Sequence, residues 1–350
     1  MEVQTTYKSH RCRLISIIGV ALLVAAACGG TTPAATTAPT AAGGATAATV
    51  TQPTRPAEFV ISTGPGGGSD IYARFMRGII EELKLSPQPV QPTNKDGASG
   101  AVAYTYVYDK KGDMHYVMIT LNSFWTTIIT QKLPYKATEF TPIANLALDP
   151  FYLWVNADSP WKTAADVVKA AQEKELVVSG TGSKQEDEVM FRRIQEIAKT
   201  KTFRYVPESG GGKVAAALAG KQGGVEVTVN NPSEGLGLLA QKKIRAICAF
   251  TAESPKAPAA VAGLPTCKSQ GLAIDDYFNV RAVLAPPGLK PEQQKFWVDV
   301  FQGVFKSEKW TKFMTDNALT PDFRTGIDFR QFIEKYQKIH EDSAKANKWV

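Results

Sequence analysis

Histidine is nearly missing from this chain, three in 350 residues with no His-x-x-x-His spacing, and the four cysteines include no Cys-x-x-Cys pair. Metal sites need such ligands at close spacing, so no metal is expected. No Gly-x-Ser-x-Gly run offers a nucleophile elbow, and His115, in a predicted strand, and His340, on a predicted terminal helix, stand away from the glycine-rich loops. With neither nucleophile nor base beside those loops, catalysis is not expected. The phosphate-binding run Gly-x-x-x-x-Gly-Lys-Ser/Thr does not occur, and Gly64-x-Gly66-x-x-Ser69 stops short of the dinucleotide fingerprint, so no nucleotide cofactor is expected either. Basic residues are scattered and not interleaved with aromatics, which argues against nucleic acid. A run long enough to span a bilayer is also lacking: Leu14–Ala27 is uncharged but only fourteen residues long, where a spanning helix needs about 20.

What is present begins with Lys8, Arg11 and Arg13 ahead of that apolar run, the layout of a signal peptide. Residues 1–27 are therefore expected to be removed. The following Val24-Ala25-Ala26-Ala27-Cys28-Gly29 resembles the lipobox of bacterial lipoproteins, with Ala25 standing where Leu is usual. Lipidation of Cys28 is the expectation; ordinary cleavage after Ala25-x-Ala27 is its rival. Residues 29–56 contain nine Thr, eight Ala, four Pro, four Gly and one charge, Arg55. A segment with so little apolar surface does not fold alone, so 28–56 reads as a disordered stalk. Its flexible-chain reach is roughly 30 Å.

Loss of residues 1–27 removes three basic residues and one acid, which lowers the formal charge from +7 to +5. That excess favours anionic ligands only weakly. Apart from Cys28, the mature chain keeps Cys248 and Cys267, nineteen residues apart. In an oxidising compartment they either form a disulfide or remain two buried thiols, and spacing does not choose between these.

From Ala57 onward about 294 residues remain, more than one core usually serves, and two lobes are expected. Strand-like runs (58–63, 115–120, 151–156, 177–179, 203–206, 225–229, 244–250) alternate with helical patterns, which predicts an α/β fold with largely parallel sheets. The first helix carries Ile71, Phe75, Met76, Ile79, Ile80 and Leu83 on one face, and Thr163-Ala164-Ala165-Asp166 has the form of a capping box. Three final helices are predicted over 291–306, 308–318 and 327–345. The last places Phe329, Phe332, Ile333, Tyr336 and Ile339 on a core-facing stripe.

Three strand-to-helix junctions are glycine-rich: Thr63-Gly64-Pro65-Gly66-Gly67-Gly68-Ser69-Asp70, Ser179-Gly180-Thr181-Gly182-Ser183 and Pro207-Glu208-Ser209-Gly210-Gly211-Gly212. Open α/β sheets bind ligands at such junctions, and glycines let a ligand approach the free N–H groups of a helix's first turn, which suit an anion. Three of them point to a shared cleft.

The run FVISTGPGGGSDIYARFMRGIIEEL, followed in order by NKDGASGAVAYTYV, LPYKATEFTPIANLA, ELVVSGTGS, VPESGGGKVAAALAGKQGGVEV, IRAICAF, GLPTCKSQGL and LAPPGLKPEQQ, resembles the substrate-binding proteins of tripartite tricarboxylate transporters, the Bug family. The resemblance covers nearly all of the chain after the stalk. It implies a two-lobed Venus-flytrap fold like that of periplasmic binding proteins, with a ligand cleft between the lobes. Lobe 1 would comprise 57–150 and 278–350, and lobe 2 would comprise 151–277. It implies no enzyme activity and no cofactor, but capture of a small organic carboxylate by backbone N–H groups and delivery to integral-membrane permease subunits. The receptor would be monomeric and lipid-anchored outside the cytoplasm, in the periplasm or on the outer face of the cytoplasmic membrane. The same shape would also serve a sensing module that presents its ligand to a membrane signalling protein; a secreted α/β enzyme is the weakest alternative. Carried onto this chain, the ligand-binding set is Gly66, Gly67, Gly68, Asp70, Asn94, Ser123, Thr181, Gly182, Ser183, Ser209, Gly210 and Asn230, with Thr63 and Ser69 from the first loop. Asp70 reads equally as a helix-start acid and Ser69 as an N-cap. The chain departs from the family in having Thr63-Gly64 where an aromatic usually precedes the Pro-Gly-Gly turn. It also has Glu208-Ser209-Gly210 where Tyr-Lys-Gly is usual, and a carboxylate there would repel the second charge of a dicarboxylate.

Overall fold

The structure, a computed structural model, describes residues 50–274 and 277–350; Cys28, the signal segment and most of the expected stalk lie outside the described residues. The first sheet contains β1 (Ala57–Ile61), β2 (Val90–Asn94), β3 (Tyr116–Thr120), β4 (Thr141–Asp149), β10 (Asn279–Ala285) and β11 (Thr320–Arg324), in the order β11-β4-β10-β3-β1-β2. The second contains β5 (Tyr152–Asn156), β6 (Val177–Thr181), β7 (Arg204–Glu208), β8 (Val227–Thr228) and β9 (Ile244–Ala249), in the order β7-β6-β8-β5-β9. The helices are α1 (Gly68–Glu82), α2 (Ala101–Tyr108), α3 (Ser123–Thr130), α4 (Ala164–Glu173), α5 (Glu186–Ala198), α6 (Gly211–Gly220), α7 (Pro232–Ala240), α8 (Pro291–Lys306), α9 (Glu308–Asp316) and α10 (Gly326–Ala346). Thr163 caps α4 through the predicted capping box with Asp166. No helix of the described residues is long and apolar enough to cross a membrane.

Both sheets are covered on both faces, and strand alternation distributes their side chains. In β1, Phe59 and Ile61 enter a core with Trp297, Phe301 and Trp310 from α8 and α9, while Val60 points the other way, into a core with Tyr104, Phe124, Trp125 and Tyr336. In β5, Leu153 and Val155 join a core built by α4 and α5, and Tyr152 and Trp154 pack on the opposite side against Ala215 and Leu218 of α6. Cys248 and Cys267 are bonded to each other inside the former core, with Cα atoms 4.9 Å apart. The α10 stripe of Phe329, Phe332, Ile333 and Tyr336 is core, as its spacing predicts.

Several expectations change. The sheets are mixed: among the described strands four pairings are parallel and five antiparallel. Four of the antiparallel pairs arise because β5 and β10, at the two crossings between sheets, enter against the direction of their neighbours, and the fifth sets edge strand β11 against β4. Strands β2 and β11 carry Pro92 and Pro321, which remove a ladder donor, and both accordingly sit at sheet edges. In α1 the buried face is Tyr72, Ala73, Met76, Ile79 and Ile80, whereas Ile71 and Leu83 are exposed. The helix is turned so that the Tyr72 hydroxyl donates to Asp149 Oδ2 at 2.8 Å, a partner that hydrophobic spacing does not register. The C-terminal end of the expected stalk is also tied down. Pro53 is buried, Arg55 pairs with Asp113 at 2.9 Å, and Val50 O accepts from Gln293 Nε2 at 3.1 Å.

Candidate functional site

The glycine loops lie at the carboxyl ends of β1, β6 and β7, and a fourth, Asp96-Gly97-Ala98-Ser99-Gly100, joins β2 to α2. That fourth loop is held in a rare conformation: Ala98 and Ser99 have φ of 46° and 56°, and Gly97 and Gly100 have φ of 128° and 94°. Positive φ at consecutive non-glycine residues is costly and persists only where surroundings impose it. At Gly100 a β-carbon would lie 2.5 Å from the Tyr104 hydroxyl, so only glycine lets that ring pack beneath the loop. The Tyr104 hydroxyl in turn shares a 2.9 Å hydrogen bond with Ser123 Oγ at the start of α3.

These loops enclose a cavity of about 300 Å³ between the two sheets. The first sheet contributes Ser62, Thr63, Gly64, the 96–100 loop, Leu121 and Ser123; the second contributes Thr181, Gly182, Gln185, Glu208 and Ser209. The two halves touch directly, since Gln185 Nε2 donates to Ser99 O at 3.1 Å. An adjoining cavity of about 370 Å³ is lined by Gly66, Gly67, Asp96, Ser209, Gly210 and Lys213 among others.

The predicted ligand contacts therefore divide. Thr63, Ser123, Thr181, Gly182 and Ser209 line the cleft cavity, and Gly66, Gly67, Ser209 and Gly210 line its neighbour. Gly68, Ser69, Asp70, Asn94, Ser183 and Asn230 line neither. Asp70 braces its own loop, accepting from the Gly66 N–H at 3.0 Å, from Arg74 Nε at 2.9 Å and from Asn94 Nδ2 at 2.9 Å. Burial pushes its pKa up, but these hydrogen bonds outweigh it and the carboxyl is held below its ordinary value. Asn94 is equally committed, donating also to Thr63 O at 2.8 Å and accepting from Arg74 at 2.8 Å. Ser69 is buried and gives α1 no side-chain cap. Gly68 packs toward Arg281 and Glu234, and Asn230 donates to Gly211 O at 3.1 Å. Ser183 faces solvent. Lining residues outside the predicted ligand set include Ser62, Gly64, Leu121 and Gln185, along with the 96–100 loop; the Asp-Gly-Ala-Ser-Gly turn signal was visible in the sequence, but its placement over the cleft required the fold.

Behind the cleft lies a buried charged cluster. Arg281 of β10 pairs with Asp149 at 2.6 Å, both essentially inaccessible, lies over the Tyr72 ring at 4.5 Å, and donates to Asn231 Oδ1 at 3.3 Å. Burial works against its charge, yet the Asp149 carboxylate holds its pKa above the ordinary value. From the second sheet, Glu186 and Asp187 are also buried, and Glu234 is half-buried. Burial pushes Glu186 and Glu234 up to about 7, with Arg281 pulling both back. Burial and the neighbouring acids raise Asp187 as well, although it accepts from the Thr181 N–H at 2.7 Å.

Against this geometry, residues 75–345 match the family model described as the tripartite tricarboxylate transporter family receptor. The chain belongs to that family. Among relatives, a protein of Bordetella pertussis strain Tohama I is 30% identical over 122 residues, 34% of this chain and 37% of that protein. A protein of Pseudomonas sp. strain P51 is 29% identical over 124 residues, 35% of this chain and 36% of its own. The match thus spans about a third of the length of these curated relatives. Among solved structures, MatC from Rhodopseudomonas palustris with bound malate superposes with a TM-score of 0.72 at 21% identity, covering 83% of this chain and 99% of that one. R. palustris Rpa4515 with adipate gives 0.73 at 23%, covering 84% and 97%. The family consists of solute-binding receptors, not enzymes, and the two-lobed α/β fold is theirs.

Proposed function

We propose that this chain is an extracytoplasmic receptor that captures a small organic carboxylate between two lobes and delivers it to the integral-membrane permease subunits of a tripartite tricarboxylate-type transporter. Lobe 1 comprises 57–150 and 278–350, and lobe 2 comprises 151–277. After removal of residues 1–27, a lipid on Cys28 holds the receptor to the membrane through the stalk, which keeps it concentrated beside its permease. The observation that carries the reading is the cleft cavity, where backbone from glycine loops and hydroxyls of Thr63, Ser123, Thr181 and Ser209 converge from both sheets. Such convergent polar groups in a concave site fix a small ligand's orientation. The malate and adipate carried by relatives of the same fold point to the same ligand class.

Purified mature protein screened by thermal shift against mono- and dicarboxylates is expected to be stabilised by at least one, by about 2.7 kcal/mol at 100 times its Kd. A shift with a sugar or an amine and none with any organic anion rejects the carboxylate reading. Metabolic labelling with a lipid precursor tests the anchor: label in the wild type and none in Cys28→Ala is the expected pair, and equal labelling refutes it.

A further inference from the structure

We infer that the cleft selects a carboxylate that also carries a protonated amine, and that Asp96 and Glu208 are the residues that set this preference; the inference rests on the proposed receptor function. The cleft's lining includes two charged side chains, Asp96 and Glu208, and no lysine, arginine or histidine. They come from opposite walls, Asp96 from the loop after β2 and Glu208 from the last residue of β7. Neither forms an ion pair among the described residues. Asp96 is exposed and Glu208 half-buried, so both carboxyls are open to a ligand entering the cleft. Lys213 lines the adjoining cavity and not the cleft.

The Thr181 N–H on the cleft wall is already engaged, donating to Asp187 at 2.7 Å. A carboxylate can still be held by the remaining backbone donors and hydroxyls. A second carboxylate on the ligand would face two unneutralised acids in a partly desolvated space, where like-charge contact is strongly disfavoured, while an ammonium group in the same place would gain two partners.

Matched ligand series test this. Propanoate, β-alanine and succinate share one carboxyethyl unit and differ only in bearing hydrogen, ammonium or carboxylate at its end. 4-Methylbenzoate, 4-(aminomethyl)benzoate and 4-(carboxymethyl)benzoate repeat the comparison at larger size. Isothermal titration of the wild type is expected to rank the ammonium member at least about tenfold tighter than either partner in at least one series. In Asp96→Asn/Glu208→Gln, whose folding is checked by its melting curve, that preference should fall to within about twofold. A diacid binding as tightly as the ammonium member, or an ammonium preference unchanged in the double variant, overturns the inference and leaves the receptor reading standing. If none of the six binds while a ligand without a carboxylate does, the receptor reading itself falls, and the inference with it.

Discussion

Glu186→Gln should make this protein more stable, and more so as pH rises. The Glu186 side chain lies in the first turn of α5, only 2% exposed, and its Oε2 has no hydrogen-bond partner. Its pKa is raised from 4.5 to about 7, chiefly by burial and further by Glu234, with Arg281 pulling it back. An acid whose folded pKa is raised contributes stability that is intact below its unfolded pKa and is lost as pH rises through the folded one. The loss therefore develops between pH 4.5 and 7, and the shift corresponds to about 3 kcal/mol once both are passed. Glutamine keeps the volume and cannot ionise. Urea denaturation at pH 8 should show the variant more stable by about 3 kcal/mol, and at pH 4.5 by no more than about 0.5 kcal/mol. An equal gain at both pH values, or a loss at pH 8, would refute the claim that this carboxyl carries a desolvation cost.

Further outcomes follow from the packing. Arg281→Met leaves Asp149 buried without its partner and should cost about 3–5 kcal/mol, whereas Asp149→Leu/Arg281→Met should recover most of that loss in the same urea titration. Gly211→Ala places a methyl on the Glu234 carboxyl and should lower stability by about 1–3 kcal/mol, while Gly212→Ala, with open space around it, should be neutral or slightly stabilising. Cys248→Ala/Cys267→Ala opens a crosslink spanning 19 residues and should lose about 3 kcal/mol, with reduction of the wild type under denaturing titration giving the same figure.

Much of this fold was legible because its signals are local. The strand-like runs at Tyr116–Thr120 and Tyr152–Asn156, the capping box at Thr163 and the apolar stripe of α10 each carry their cause within a few residues. Strands β4 and β10 were not legible, although they are central to the first sheet. Their sequences mix apolar residues with Asn145, Asn279 and Arg281, whose side chains bond to distant partners such as Asp322, Asn231 and Asp149. The same division governs the site. Glycine content indicated where backbone would be exposed at the cleft, but Asp70 and Asn94 look like ligand contacts until Arg74 is seen to engage both. Gln185 entered unannounced because its partner, Ser99 O, lies 86 residues earlier in the chain.

The position of β10 bears on how the chain can fold as it is made. Every strand of the second sheet lies between Tyr152 and Ala249, so that sheet can assemble from one continuous stretch. The first sheet has β1, β2, β3 and β4 in hand by Asp149, yet β3 and β4 do not pair with each other; β10 must slide between them, its Asn279 meeting Asp149 across a loop of some 130 residues. Until residue 285 is available, two strands near the middle of that sheet keep open edges, and closing so long a loop is slow relative to local pairing. The first segment to be synthesised is thus among the last to finish folding, and its exposed strand edges mark the interval in which the chain is most vulnerable to aggregation.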